Sequence, residues 1–255
     1  MAIEKTEAIV LKQHKLRETS LIVTLMTRDF GKIKLVCKGV RQERSNLFIH
    51  FQPFVQLDLV FYKKDKTHLH LLKESSCADD FRQVRDDFTA WSFGNYFINL
   101  IDEIVPDEEV NEVVYDLLQR ALYRLREQPS LSMVRCFEVK LLMLSGFWPQ
   151  LERCCSCGKN VDKKFYFSIM HGGLVCSDDS CQRKASDRRL LTPGAVATLK
   201  FYALHSFDQG ARLQCGGAVS KELERLTYDF ILYHIGRELP SARFLTEVHD
   251  ALTLT

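Results

Sequence analysis

No apolar run in this sequence is long enough to cross a bilayer; the longest, Trp91 to Ile101, ends at Asp102. The opening residues Met1-Ala-Ile-Glu-Lys-Thr-Glu carry acids and lack the apolar core of a secretory signal, which leads to the expectation of a cytoplasmic protein. Phosphate-binding loops are missing as well: there is no Gly-x4-Gly-Lys-Ser/Thr and no Gly-x-Gly-x-x-Gly opening a helix, so P-loop ATPase activity is excluded. Neither a Gly-x-Ser-x-Gly elbow nor a His-Glu-x-x-His helix is present, and the eight histidines have no triad spacing. Internal repeats are absent, and with 12 Gly and 6 Pro the chain is neither collagen-like nor low-complexity. What remains is an ordinary folded composition, 46% hydrophobic and 27% charged over 255 residues, enough for one large or several small domains.

Two features stand out against that background. The net charge of +2 conceals segregation: residues 1–73 carry 14 Lys+Arg against 7 Asp+Glu, while residues 74–127 carry 5 against 13. A basic module beside an acidic one implies either an anionic partner, nucleic acid first of all, or two modules that face each other with opposite charge. The second feature is a cysteine cluster. Of nine cysteines, five fall between 154 and 181, which in a chain without a secretion signal points to metal rather than disulfides.

The first 75 residues alternate with period 2. Glu7 to Gln13, Ser20 to Thr27, Lys32 to Gly39, Phe54 to Phe61 and Thr67 to Leu72 read as strands, with Arg28-Asp29-Phe30-Gly31 a turn. Five short strands suggest a small β-barrel or sandwich, the OB-type barrel being the five-stranded form that commonly binds nucleic-acid strands. From about residue 78 the period becomes 3.6. Asp79 or Asp80 can cap a helix with Phe81, Val84, Phe88 and Trp91 on its core face. Asp107 can cap the next, with Val110, Val114, Leu117, Ala121 and Leu125 in register, and Ser130 a third ending at Gly146. Helices return at Thr192-Pro193 and near Ser220, the latter with Leu223, Leu226, Phe230 and Tyr233 on one face. The resulting expectation is an α+β multidomain chain: an OB-type domain over residues 1–77, a helical domain over 78–149 and 184–255, and a cysteine insert over 150–183.

Within the insert, Cys154-x-x-Cys157 and Cys176-x4-Cys181 supply two short-spaced thiolate pairs around a hairpin at His171-Gly-Gly173. Opposed pairs of this kind place four soft ligands at tetrahedral corners without long-range precision. The expected ligands are Cys154, Cys157, Cys176 and Cys181 around a structural Zn2+, with Cys155 and His171 as the alternatives left open. In the barrel, Lys32, Lys34, Lys38, Arg41 and Arg44 crowd the third strand and its following loop, and Lys12, Lys15 and Arg17 surround the first turn. Lys63, Lys64 and Lys66 fill the last hairpin. Cations in such density suit phosphates, and Phe48, Phe51 and Phe54 nearby are either stacking rings or barrel core. His68 and His70 alternate on one strand face, as polar-face residues or a minor metal site.

The chain resembles the bacterial RecO family of DNA repair proteins. The likeness rests on Ala8-Ile-Val-Leu-Lys, Arg17-Glu-Thr-Ser-Leu, Thr27, Gly31, Lys38-Gly-Val-Arg41, the position of the cysteine insert, Tyr233-His-Ile-Gly236 and Ser241-Ala-Arg-Phe-Leu. That resemblance implies an OB-fold, a helical domain with a zinc finger, and a non-enzymatic recombination mediator acting at the nucleoid. Such a protein binds single- and double-stranded DNA and anneals complementary strands. With RecR, and in many bacteria RecF, it loads RecA onto strands coated by single-stranded-DNA-binding protein, whose acidic C-terminal tail it binds. By position, Lys32, Lys34, Lys38, Arg41 and Arg44 correspond to the family's DNA-binding strand and loop. Arg135, Lys140, Arg225 and Arg243 are candidate cations for the tail. A zinc-dependent nuclease and a docking scaffold with little DNA affinity are the rival readings.

Overall fold

The computed structural model describes residues 2–42, 46–161, 164–242 and 245. Five strands open the chain: β1 (Ala2–Leu16), β2 (Ser20–Thr27), β3 (Gly31–Cys37), β4 (Gln56–Lys63) and β5 (Leu69–Asp79). They close into a barrel in the order β1-β2-β3-β5-β4, antiparallel throughout except for the parallel β3–β5 seam, which is the OB-type arrangement. Alternation decides the interior. Ala8, Val10, Leu21, Val23, Leu25, Ile33, Leu35, Leu57, Leu59 and Phe61 point inward and form one core with Phe51 and Val55. β1 and β5 run further than the alternation suggested, and β5 passes beyond residue 77 to Asp79.

Three helices follow: α1 (Arg82–Asp86), α2 (Phe88–Ile104) and α3 (Glu112–Glu127). The expected continuous helix from Phe81 is broken at Asp87, whose extended backbone (φ −100°, ψ 122°) ends α1 and whose side chain accepts from Ala90 N to cap α2. Restarting the helix rotates its register. Phe81 and Val84 remain core, but Phe88 and Trp91 are 63% and 40% exposed, so the aromatic stripe is not the core face; Ala90, Phe93, Phe97 and Ile101 are. Asp107 does not cap α3 either. Asn111 does, accepting from Val114 N at 3.1 Å, and Val110 is exposed, while Val114, Leu117, Ala121 and Leu125 are buried as the periodicity requires.

The remaining elements are α4 (Leu131–Leu144), β6 (Phe165–Ser168), β7 (Gly173–Val175), α5 (Asp179–Lys184), β8 (Arg189–Leu191), α6 (Pro193–Leu204), α7 (Phe207–Ala211) and α8 (Gly217–Ile235). Ser130 and Thr192 cap α4 and α6 as their sequence positions suggest. Val134, Phe137 and Leu141 of α4 are buried, as are Leu199 and Tyr202 of α6 and Leu223, Leu226 and Phe230 of α8; Tyr233, expected on the same face, is exposed. Inside this helical core Arg135 Nη1 lies 2.9 Å from Glu138 Oε2, and Thr227 Oγ1 donates to the same carboxylate at 2.7 Å. A buried charge pair is tolerable only when its remaining lone pairs are satisfied in this way. Two compact units result: the barrel with α1–α3, reaching Pro129, and α4–α8 with the small sheet, Ser130–Ala242.

At one turn of the barrel only glycine fits. Gly31 has φ +66°, and a Cβ there would sit 2.1 Å from the carbonyl oxygen of Glu109. Gly31→Ala is expected to destabilise the first unit by at least about 1–3 kcal/mol through strain alone, measured by denaturant unfolding. An unchanged midpoint would show that the loop after α2 does not seat against this turn.

Candidate metal centre and nucleic-acid interface

The cysteine insert is ordered by its own hydrogen bonds. Gly158 N donates to Cys154 O at 2.9 Å, and Cys154 N to Lys159 O at 2.8 Å; together they curl Cys154–Cys157 into a tight turn whose left-handed residue is Gly158 (φ +73°). The second pair leaves β7 at Cys176 and re-enters at α5, where Asp178 accepts from Ser180 N and Cys181 N donates to Asp178 O at 3.0 Å. Backbone bonds from Cys155 N to Leu174 O and from Leu174 N to Gln150 O, both 2.8 Å, hold the first turn against β7, from which the second pair departs. Sulfur atoms of Cys154, Cys157, Cys176 and Cys181 all lie within 4.8 Å of one another, and Cys157 and Cys176 are 3.7 Å apart. A tetrahedron with metal–sulfur bonds of about 2.3 Å has edges of about 3.8 Å, so the four sulfurs fit one zinc-sized ion.

Protons are unevenly shared in this group. Burial raises the Cys154 thiol, but backbone N–H groups of Cys176, Cys157 and Ser156 outweigh it and bring it down to about 6. Burial and the neighbouring thiols push Cys176 up to about 12. Four thiolates this close need a cation among them. Neither open alternative joins the set. Cys155 donates its backbone N–H to Leu174 O, and its sulfur faces Gly173. His171 Nδ1 lies 2.9 Å from Ser168 Oγ, which in turn donates to Asp187 at 2.6 Å and staples the hairpin.

Around the barrel the expected cations divide into two sets. Lys12, Lys32 and Lys34 meet carboxylates of the first unit's helical part. Lys12 Nζ is 2.5 Å from Asp102 Oδ2, and Lys34 Nζ is 2.5 Å from Asp107 Oδ2. Lys32, only 5% exposed, reaches the Asp102 carbonyl at 2.5 Å and Asp107 Oδ1 at 3.3 Å. Lys12 and Lys34 lie in one row because both pair with Thr24 of β2. Burial alone would raise the Asp107 carboxyl, yet Lys34 and Lys32 hold it below the usual carboxylate range. Glu108 continues the contact: its N–H donates to Lys32 O at 2.8 Å, and its carboxylate lies 2.9 Å from His68 Nδ1 and 3.5 Å from His70 Nε2. His70 is buried, with Nδ1 accepting from Lys64 N, and burial lowers its pKa. Nothing in the sequence marked Glu108 as the acid joining these two histidines, since 38 residues separate it from His70.

The other set, Lys15, Arg17, Lys38 and Arg41, gathers at the β1–β2 turn and the exit of β3. Arg41 N donates to Thr19 O at 3.0 Å and Arg41 Nη1 to Arg17 O at 3.3 Å, tying the two loops together. Among the described residues no carboxylate pairs with these four cations. Lys63 stands over the Phe30 ring at 5.1 Å. Arg44 lies outside the described residues. Phe51 and Phe54 are core, whereas Phe48 is 39% exposed. Of the other named cations, Arg135 is buried against Glu138, Lys140 donates to Ala203 O at 2.9 Å, Arg225 is exposed and Arg243 lies outside the described residues. No helix among the described residues is long and apolar enough to cross a membrane.

Comparison with known proteins agrees with this architecture. Residues 1–81 match the family model "Recombination protein O N terminal", and residues 85–243 match "Recombination protein O C terminal". Curated DNA repair proteins named RecO align along nearly their whole length. That of Thermoanaerobacter sp. (strain X514) is 27% identical over 252 residues, 98% of this chain and 100% of the relative. That of Syntrophus aciditrophicus (strain SB) is 29% identical over 250 residues, 97% and 96%. The RecO of Bacillus pumilus (strain SAFR-032) is 27% identical over 247 residues, 96% and 94%. With the two family models together matching residues 1–81 and 85–243 and the relatives aligned over nearly the whole chain, this chain belongs to the RecO family of DNA repair proteins.

Proposed function

We propose that this protein is a non-enzymatic recombination mediator that binds single- and double-stranded DNA and anneals complementary strands. With RecR, and where present RecF, it helps load RecA onto strands coated by single-stranded-DNA-binding protein in the cytoplasm. The observation that carries this reading is the rim of cations at Lys15, Arg17, Lys38 and Arg41 on an OB-type barrel, none of them neutralised by a carboxylate among the described residues. Neutralising phosphates on two strands lowers their mutual repulsion, so bases can pair without an energy source. In this reading the barrel of residues 1–77 is the DNA-binding module. The acidic tail of the single-strand-binding protein docks on the helical part, where Lys140, Arg225 and Arg243 are the remaining candidate cations. The cysteine insert takes zinc. Four thiolates from Cys154, Cys157, Cys176 and Cys181 would fill all four tetrahedral positions, which makes its role structural.

One observation favours a second reading, a docking scaffold with little affinity for free DNA: Lys12, Lys32 and Lys34 are already engaged by Asp102 and Asp107. Annealing of two labelled complementary oligonucleotides, bare and then coated with cognate single-strand-binding protein, separates the two. Acceleration in both states without ATP is the mediator's result; no acceleration at low salt is the scaffold's.

Affinity for a single strand should fall with salt at a log–log slope of about −3 if the four rim cations each meet a phosphate. The Lys38→Glu, Arg41→Glu double variant should lose roughly half that slope with an unchanged melting curve. A slope near zero in the wild-type protein would defeat the charge mechanism.

Zinc makes a separate expectation. Cys154→Ser and Cys176→Ser should each lower bound metal and melting temperature together, because metal binding supplies folding free energy to an insert in which Cys154 and Cys181 themselves form a small buried cluster with Val175 and Ala185. Full metal content in either variant would remove that residue from the ligand set.

A further inference from the structure

The four sulfurs of the cysteine insert are not equivalent. Cys154 and Cys181 are 2% and 3% exposed and pack with Val175 and Ala185, whereas Cys157 is exposed and Cys176 half-buried. The tetrahedron they outline has one edge in the small core of the insert and the opposite edge, Cys157–Cys176, toward solvent. Along that outer edge the sulfurs are 3.7 Å apart. A disulfide needs about 2.05 Å, so a small shift of the two turns joins them. Cys157 closes the first turn and Cys176 follows β7, so a bond between them links the same two segments that a metal ion would link. The inner sulfurs keep their place without the ion, since a buried protonated thiol packs as a small apolar group.

The other cysteines lack this combination. Burial pushes the thiols of Cys37 and Cys136 up to about 12, which keeps them protonated and unreactive. Cys77 is exposed, but loss of solvent around its sulfur and the carboxylates of Asp80 and Asp79 raise its thiol as well. Cys155 is half-buried with its sulfur over Gly173, and Cys215 Sγ lies 3.7 Å from Tyr202 Oη. Metal ligation holds a cysteine as its thiolate, and the exposed thiolate is the form that peroxides oxidise.

We propose that Cys157 and Cys176 form a peroxide-modification site, at which hydrogen peroxide converts the two thiolates to a disulfide that releases the metal ion and replaces it as the link between the turns. The inference rests on the zinc reading above and adds its regulation. The Cys157 thiolate attacks one peroxide oxygen; an S–O bond forms, the O–O bond breaks and hydroxide leaves. The Cys176 thiolate then attacks the sulfur of that sulfenic acid, forming the S–S bond and expelling the second oxygen as hydroxide. Two electrons pass from the two sulfurs to the peroxide, and solvent protons convert both hydroxides to water. Cys154 and Cys181 alone are too few ligands for a closed site, so the ion is lost to solvent.

The test treats full-length, zinc-loaded protein with hydrogen peroxide. Released zinc is followed with a chromogenic chelator, and disulfides are mapped by differential alkylation and peptide mass spectrometry. Zinc and the Cys157–Cys176 disulfide should appear in equal amounts and at one rate, and dithiothreitol with added zinc should reverse both. Cys155→Ser and Cys77→Ser should release zinc at the wild-type rate. Thermal melting gives a second readout. Oxidised, metal-free protein should melt above protein stripped of metal by a chelator under reducing conditions, because the new crosslink restrains the unfolded insert. Zinc retained under peroxide, a disulfide between any other pair, or a sulfinic acid at Cys157 without a disulfide overturns the proposal and leaves the zinc reading intact. Oxidised protein that melts together with the stripped protein overturns it as well. A reduced chain that takes up no zinc overturns both.

Discussion

Opposite charge between the barrel and the helical hairpin beside it organises the first half of this protein. Asp102 serves Lys12 of β1 and Lys32 of β3, and Asp107 serves Lys32 and Lys34 of β3, so these carboxylates tie β1 and β3 to the end of α2 and the loop after it. Exposed pairs of this kind contribute little individually. The contact at Lys32 differs, because its ammonium is nearly buried and reaches a backbone carbonyl as well as two carboxylates. Removing one partner there would strand a buried charge, so the docking is a condition of the fold rather than an ornament. Gly31 makes it possible: without a Cβ, the backbone of Glu109 can approach the β2–β3 turn.

That constraint has a functional side. A basic module with a net charge of +7 looks from its composition like one continuous electropositive surface. In three dimensions its positive charge is divided: Lys12, Lys32, Lys34 and Arg28 face the acidic hairpin, and Lys15, Arg17, Lys38 and Arg41 are left to solvent at the loop rim. Of the two meanings the charge segregation could carry, the internal interface is present on one face of the barrel, and the cations left on another face support the proposed anionic partner.

The four-thiol cluster follows a simpler logic. Its geometry is local: two turns, each closed by backbone hydrogen bonds within a few residues, and one hairpin that brings them together. Cys154 is drawn toward its thiolate by three N–H groups while Cys176 is pushed the other way, and a divalent ion would resolve both by replacing the protons. The helical core around the Arg135–Glu138–Thr227 triad stands apart from this chemistry, polar where apolar packing would have served.

Much of this was legible along the chain. The barrel interior was readable because period-2 alternation in β2 and β4 reports burial directly, and the four cysteines because metal ligation needs short spacings that sequence displays. The caps at Ser130 and Thr192 were readable for the same reason: a cap bonds only two or three residues ahead. Asp87 defeated the reading of α2, since a helix that restarts within one residue keeps the 3.6 period but rotates the buried face, leaving Phe88 and Trp91 outside. Asp107 looked like a cap and became a salt-bridge partner of Lys34, 73 residues earlier. The sequence by itself determined which segments alternate, where thiols cluster and how charge is distributed; only the tertiary structure decided which lysines are spent on Asp102 and Asp107, because a charge's partner depends on distances between strands and helices that no spacing along the chain encodes.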